Sequence, residues 1–326
     1  MKTRTLGKNG FTIGEVGLGC WQFGGDFGAM EKGTADGIMS ASLECGVDFF
    51  DTANVYGGGC SEEWIGEFIS ACRARVFVAT KYGRGPAAYP DNYTEAGLRE
   101  AIDESRRRLR VETIDLLQLH CIPVSVLREG KVFDWLRGAQ SDGLIRHFGA
   151  SVETAEEGMI CLGQEGLLSL QIIFNIFRQK PAEELLPRAR EKGVGIIVRL
   201  PLASGLLSGR FTASTKFSET DHRHYNRDGQ AFNVGETFAG LPLAKGAELA
   251  EKLKPLVPAG MTMAQMSMRW ILDHDAVSVV IPGASSVAQA RENAAASALP
   301  ALSRSLHGEL ASFYREEVRA HIRGPY

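Results

Sequence analysis

Along the chain, apolar runs of strand length alternate with stretches whose apolar residues recur every three to four positions, and the order of strand then helix repeats over nearly the whole length. A short opening segment turns at Lys8-Asn9-Gly10. Eight strands are then expected: Val16–Leu18, Asp48–Asp51, Val76–Lys81, Ile114–His120, Ile145–Ala150, Leu168–Phe174, Gly195–Leu200 and Val277–Ile281. Helical patterns lie between them at Thr34–Cys45, Ser61–Cys72, Tyr93–Leu109, Val126–Ser141, Glu153–Leu162, Ala182–Lys192, Leu243–Leu253 with Thr262–Asp273, and Val287–Ala298. Ser61 reads as an N-cap, with Glu62 and Glu63 where the helix dipole favours acid.

Strands apolar nearly throughout are expected to be buried on both faces, as in a parallel sheet covered by helices. Closing eight of them into a barrel removes the edges that an open sheet would leave. The expected fold class is therefore α/β, a (β/α)8 or TIM barrel, with residues 1–326 forming one domain. A doubly wound sheet would carry GxGxxG after its first strand, but in GLGCWQFGG the residues Gly17, Gly19 and Gly24 miss that spacing. Leu202–Leu241, after the seventh strand, is too long for an ordinary βα loop and carries DHRHYNRDGQAF; it reads as a lid.

With 44% hydrophobic and 23% charged residues in 326, a sizeable core is expected. A formal charge of −3 provides no global field to gather nucleic acid or an anionic membrane, so the expected partner is a small molecule. Arg106-Arg107-Arg108 with Arg110 reads as a solvated helix face. No signal-length apolar core opens the chain and no 18 apolar residues run uninterrupted, which points to the cytoplasm. Six cysteines lie scattered without a CxxC pair, and His222 and His224 lack a third ligand at metal spacing, so neither a disulfide framework nor a metal site is expected. A monomer and a weak homo-oligomer are both compatible with the chain.

In a barrel, reactive groups come from strand C-termini. Here VDFFDTANVYGGG ends its apolar run at Asp51 and puts Tyr56 in the next loop; VFVATKYG ends at Lys81, and IDLLQLHCIP at His120. A Tyr, a Lys, an Asp and a His without a metal or nucleophile signature suit proton delivery to a carbonyl oxygen, the half of a reduction that a hydride donor does not supply. An ammonium ~4 Å from a phenolate contributes about 4 kcal/mol at an effective dielectric near 20, enough to move a phenol about three pH units toward neutrality before burial is counted. Asp51 would hold Lys81 charged, and a neutral His120 would orient the substrate oxygen.

The motifs GLGCWQFGG, DTANVYGGGCSEEWIG, ATKYG, LQLHC, FGAS, QIIFN, PLASGLLSGR and VIPGASSVAQARENAA, in this order, resemble the aldo-keto reductases over nearly the full length. The resemblance implies a catalytic tetrad of Asp51, Tyr56, Lys81 and His120 and a nicotinamide cofactor. It implies that Ser151 and Gln171 hold the carboxamide, that Leu202 and Gly205 pass along the pyrophosphate, and that Gly283, Ala284, Ser285, Gln289 and Asn293 receive the adenosine end. Gly19, Cys20, Trp21, Asp51, Arg199, Pro201, Leu207, Arg210 and Ile281 complete the implied cofactor set. Trp21, with Phe23 near it, Tyr56, His120 and Cys121 would line the substrate pocket, Cys121 as a small buried wall residue without a catalytic role.

Four positions depart from the family pattern. Arg199 stands where a Tyr usually stacks on the nicotinamide, and its charge would favour reduced over cationic oxidised cofactor. Val152 replaces an Asn that usually contacts the carboxamide, and Gly283 and Gln289 replace the Lys and Arg that grip the 2′-phosphate in many members. NADP(H) is still expected ahead of NAD(H), on Ser285 and on Arg291 as a substitute. The resemblance thus implies an enzyme that reduces an aldehyde, ketone or sugar carbonyl with Tyr56 as general acid. Its alternatives are an alcohol or sugar dehydrogenase using the same site in reverse, and a nicotinamide-binding regulatory subunit of a membrane channel.

Overall fold

The computed structural model describes residues 1–72 and 74–326. An antiparallel hairpin of β1 (Thr3–Thr5) and β2 (Thr12–Gly14) precedes eight parallel strands: β3 (Leu18–Gly19), β4 (Phe49–Asp51), β5 (Phe77–Tyr82), β6 (Ile114–His120), β7 (Ile145–Ser151), β8 (Leu167–Ile173), β9 (Gly195–Arg199) and β10 (Val277–Val280). They pair in chain order, and parallel bridges Val16–Val280 and Gly19–Gly283 join the first strand to the last, so the sheet curls back upon itself. The helices are α1 (Lys32–Glu44), α2 (Cys60–Ala71), α3 (Glu95–Leu109), α4 (Val124–Glu129), α5 (Lys131–Ser141), α6 (Ala155–Cys161), α7 (Leu185–Lys192), α8 (His222–Tyr225), α9 (Leu243–Leu253), α10 (Met263–Leu272), α11 (Val287–Ala295) and α12 (Arg304–Phe313). No helix among the described residues is long and apolar enough to cross a membrane.

The period of two along each strand divides the molecule into an inner and an outer core. Outward residues of β6, Leu117 and Leu119, join Leu98 and Ile102 of α3 and Phe133 and Leu136 of α5 in one cluster. Inward residues Phe49, Ala79, Leu116, Ile197 and Val279 form a second cluster, floored by Leu6 and Ile13 from the hairpin. Each large inward side chain is fully buried and contributes about 1.5–3 kcal/mol. Two residues beyond Phe49, Ala79, Leu116 and Ile197 on the same strands stand Asp51, Lys81, Gln118 and Arg199, with His120 two beyond Gln118. The alternation that buries the apolar floor thus places these polar groups inside, one layer higher.

Several local expectations are corrected. Ser61 is not a cap: α2 begins at Cys60 behind Gly59, and Ser61 Oγ accepts from Thr52 Oγ1 at 2.8 Å and donates to the Cys20 carbonyl at 3.0 Å. The expected helix Val126–Ser141 breaks at Gly130, whose φ of 82° ends α4 and starts α5. Arg108 leaves the solvated face, its Nε 2.7 Å from the wholly buried Glu62. The helix expected from Glu153 starts only at Ala155, where Thr154 and Glu157 make a capping box, and this leaves Glu153 free of the helix. Between β9 and α9 the chain holds only short helical turns: Ala203–Ser208, α8, Val234–Glu236 and Phe238–Gly240.

Candidate active site

Lys81 is 1% exposed and has an acceptor for each of its three N–H bonds: Asp51 Oδ1 at 2.6 Å, the Thr52 carbonyl at 2.6 Å and the Tyr56 hydroxyl oxygen at 3.3 Å. Because Tyr56 accepts from Lys81, its own O–H is free to donate into the cavity. Asp51 Oδ2 accepts from Gln118 Nε2 at 2.9 Å and Gln171 Nε2 at 2.7 Å, which fixes the carboxylate without neutralising it. Burial alone would lower Lys81, but Asp51 and Tyr56 outweigh it and the ammonium is held above its ordinary range. Tyr56 moves the opposite way from expectation: burial raises the phenol by more than Lys81 lowers it, so it stays protonated through neutral pH. His120 is pushed well below its ordinary value by burial and then by Arg84 and Lys81, so it is neutral; its Nδ1 is buried without a hydrogen-bond partner.

The glycines of VYGGG place Tyr56. Gly57, Gly58 and Gly59 have φ of 60°, 63° and 103°, a run of left-handed backbone that side chains disfavour. This turn packs on Gly24 of WQFGG, where a Cβ would lie 2.6 Å from Gly57 N. The two loops therefore approach closely enough for Trp21 to stack on Tyr56, ring centroids 5.9 Å apart and planes at 21°.

Two adjoining cavities run from this point. The first, about 390 Å³, is lined among others by Gly19, Cys20, Trp21, Asp51, Tyr56, His120, Gln171, Arg199 and Ile281. The second, about 420 Å³, is lined by Leu202, Gly205, Arg210, Ser285, Gln289 and Asn293, and the two share Pro201 and Gly283. Ser204 and Gly205, with φ of 54° and 102°, coil the backbone along the second cavity. A cleft with a proton donor at one end, a coiled glycine turn midway and the start of α11 at the other fits an extended dinucleotide.

The remaining expected residues lie elsewhere. Ser151, Leu207, Ala284 and Cys121 are buried behind the walls rather than in them. Ser151 Oγ donates to Gln171 Oε1 at 3.2 Å, and Cys121 Sγ accepts from Arg199 Nη2 at 3.5 Å, with its thiol pushed up to about 11 by burial. Phe23 belongs to the core under α1. Arg291 does not line the second cavity and pairs with Glu44 at 2.5 Å, so it is not placed there as the expected 2′-phosphate grip. His222, read as polar loop, is buried against Trp21 and Phe27 with ring centroids 4.6 and 4.4 Å away.

Sequence reasoning missed one whole wall of the first cavity. Arg84 Nη2 lies 2.9 Å from Glu153 Oε1 and 3.0 Å from Glu236 Oε1, Arg199 Nη2 lies 3.5 Å from Glu236, and Asn233 Nδ2 donates to Glu153 Oε2 at 2.7 Å. Burial and then Glu236 push the Glu153 carboxyl up to about 7. Burial would raise Glu236 as well, yet Arg84 and Arg199 hold it well below the ordinary carboxylate range. The charge of Arg199 is thus answered by Glu236, which weakens the expected bias toward reduced cofactor. Cys121, Glu153 and Glu236 offer ligand atoms within 4.8 Å of one another, but the two guanidiniums already serve the carboxylates. Arg84 follows ATKYG and Glu153 follows FGAS by two residues, so adjacency to strand ends was the available signal; Asn233 and Glu236 arrive from the long segment and had none.

Residues 15–315 match the family model described as the Aldo/keto reductase family. The chain is 30% identical over 301 residues to an uncharacterized oxidoreductase, YqkF, of Bacillus subtilis, covering 90% of each. Its structure resembles the holo form of aldo-keto reductase AKR11C1 from Bacillus halodurans (TM-score 0.79, 25% identity, 99% and 98% of the two chains covered). It shares its fold with an aldo/keto reductase from Klebsiella pneumoniae solved with NADP and acetate (TM-score 0.70, 22% identity, 96% of each chain covered). With a family match spanning nearly the whole chain and a curled eight-stranded parallel sheet of the same kind, this protein belongs to the aldo/keto reductase family of oxidoreductases.

Proposed function

We propose that residues 1–326 act as one closed (β/α)8 barrel that reduces an aldehyde, ketone or sugar carbonyl, with Tyr56 as general acid and Leu202–Leu241 as the lid over the substrate. The observation that carries this reading is the saturated Lys81: its three bonds to Asp51, Thr52 and Tyr56 leave the Tyr56 proton directed away from the ammonium and available to a ligand. Pro201, Leu202, Gly205 and Arg210 would hold the pyrophosphate, and Ser285, Gln289 and Asn293 the adenosine end. Arg210 has no acidic partner among the described residues, which leaves its guanidinium for phosphate. The like-folded K. pneumoniae protein is described with NADP, and NADP(H) is our reading for this chain.

When bound, the reduced nicotinamide supplies a hydride to the carbonyl carbon. Tyr56 donates its proton to the carbonyl oxygen, so that the C=O π bond is replaced by a C–H and an O–H bond, and solvent returns the proton to the phenolate. Lys81 stabilises that phenolate as it forms, and Asp51 keeps Lys81 charged and in place. Neutral His120 can donate to the same oxygen and orient it. Asn226 orders the lid: its Oδ1 accepts from the N–H of Ala231 and of Phe232, both at 2.9 Å, and so presents Phe232 and Asn233 to the cavity.

The test is loss of reduced-cofactor absorbance with a panel of aldehydes, ketosugars and quinones, run with NADPH and NADH side by side. Turnover of carbonyls with NADPH ahead of NADH is expected. A protein that binds either cofactor and reduces none of the panel would remove the reading.

A further inference from the structure

The wall formed by Arg84, Glu153, Asn233 and Glu236 is not needed for the proton step, yet it faces the same cavity as Tyr56 and His120. Its groups are nearly but not wholly covered: the side chains of Arg84 and Glu153 are each 18% exposed, so water reaches them and a ligand can replace that water. Both Glu153 oxygens already accept one bond, from Arg84 and from Asn233, and each keeps a further lone pair. Aromatic faces complete the space, with Trp21, Tyr89 and Phe232 lining it.

We propose that this wall selects neutral, hydroxyl-bearing carbonyl compounds, such as short hydroxy-aldehydes and small sugars, over alkyl and phosphorylated carbonyls of the same length; the inference rests on the carbonyl-reduction reading above. A hydroxyl can donate to a Glu153 oxygen and accept from Arg84 or Asn233, restoring the hydrogen bonds lost when water leaves. An alkyl chain displaces the same water and restores nothing, and sites built around polar partners reject analogues that lack the hydroxyl.

With Glu153 ionised, the charge balance disfavours a phosphate. Lys81 answers Asp51, and Arg84 and Arg199 answer Glu153 and Glu236. Asp26 also lines the cavity, its oxygens accepting from Trp21 Nε1 at 2.8 Å and Tyr225 O–H at 2.6 Å, and it has no cation against it among the described residues. Among the described residues lining this cavity no positive charge is left over for a group carrying nearly two negative ones, Arg210 lying along the second cavity, so a phosphate here would have to separate Arg84 from a buried carboxylate.

The experiment compares kcat/KM for glyceraldehyde, propanal and glyceraldehyde 3-phosphate at pH 8, with the protein and reduced cofactor. Glyceraldehyde should exceed each of the other two by at least roughly tenfold. Glu153→Leu should collapse the glyceraldehyde-to-propanal ratio toward one. Glu153→Gln, which keeps the shape and is the safer variant for folding, should narrow the gap to the phosphate ester several-fold by removing one negative charge. Equal efficiency for all three compounds, or ratios unmoved in both variants, overturns the proposal while leaving carbonyl reduction intact. Failure to reduce any of them overturns both.

Discussion

Replacing Tyr56 with Phe should lower carbonyl reduction by roughly 10²–10⁴-fold or more while leaving the affinity for reduced cofactor close to that of the native protein. The substitution removes one oxygen. The ring keeps its stacking on Trp21 and the cation of Lys81 over its face at 4.9 Å, and the cleft from Pro201 to Asn293 is untouched. What is lost is the proton aimed into the cavity, and Lys81 loses only its longest bond, at 3.3 Å, worth about 1 kcal/mol. Folding should therefore survive. Steady-state reduction of a carbonyl together with quenching of intrinsic fluorescence by cofactor separates the two effects, and native-like turnover in the variant would remove Tyr56 from the chemistry.

Lys81→Met should be costly in both activity and stability. Lys81 and Asp51 are a buried pair at 2.6 Å, and removing one partner of such a pair costs about 3–5 kcal/mol because the other charge stays behind. Asp51 retains its bonds from Gln118 and Gln171, which places the expected cost near the lower end, a fall in melting temperature of roughly 5 °C or more in a chain of this size. Turnover should fall by about as much as in Tyr56→Phe, since the phenolate would form with no cation beside it. Thermal unfolding and steady-state rates measured on the same sample check this. A stable, active Lys81→Met protein would mean that the cation neither stabilises the phenolate nor holds Asp51.

Much of this arrangement was legible in the chain because strand-end residues obey a simple geometric rule. Phe49 and Asp51, Ala79 and Lys81, and Leu116, Gln118 and His120 each face one way, so an apolar floor predicts a polar top. Residues of the two segments marked by the motifs, Leu202 to Arg210 and Ser285 to Asn293, line the second cavity. What the chain did not disclose is where long-range partners meet. Arg199 reads as a lone cation until Glu236, brought in by the folded segment after β9, is seen 3.5 Å away. Arg291 reads as a phosphate ligand until α11 packs beside α1 and Glu44 takes it. The Tyr56 proton affinity departs from expectation for a related reason: the Coulomb attraction of Lys81 follows from the residues alone, whereas the larger desolvation follows from how completely the site closes.

Hydride transfer from a nicotinamide to a carbonyl carbon is tested most directly with a labelled cofactor. Reduction should be run with cofactor carrying deuterium at its transferable position, and the alcohol examined by NMR. The expected product carries one deuterium on the former carbonyl carbon, with none of it exchanged with water. An alcohol formed without that label, or label appearing only in solvent, would contradict the assignment of this protein as a carbonyl reductase.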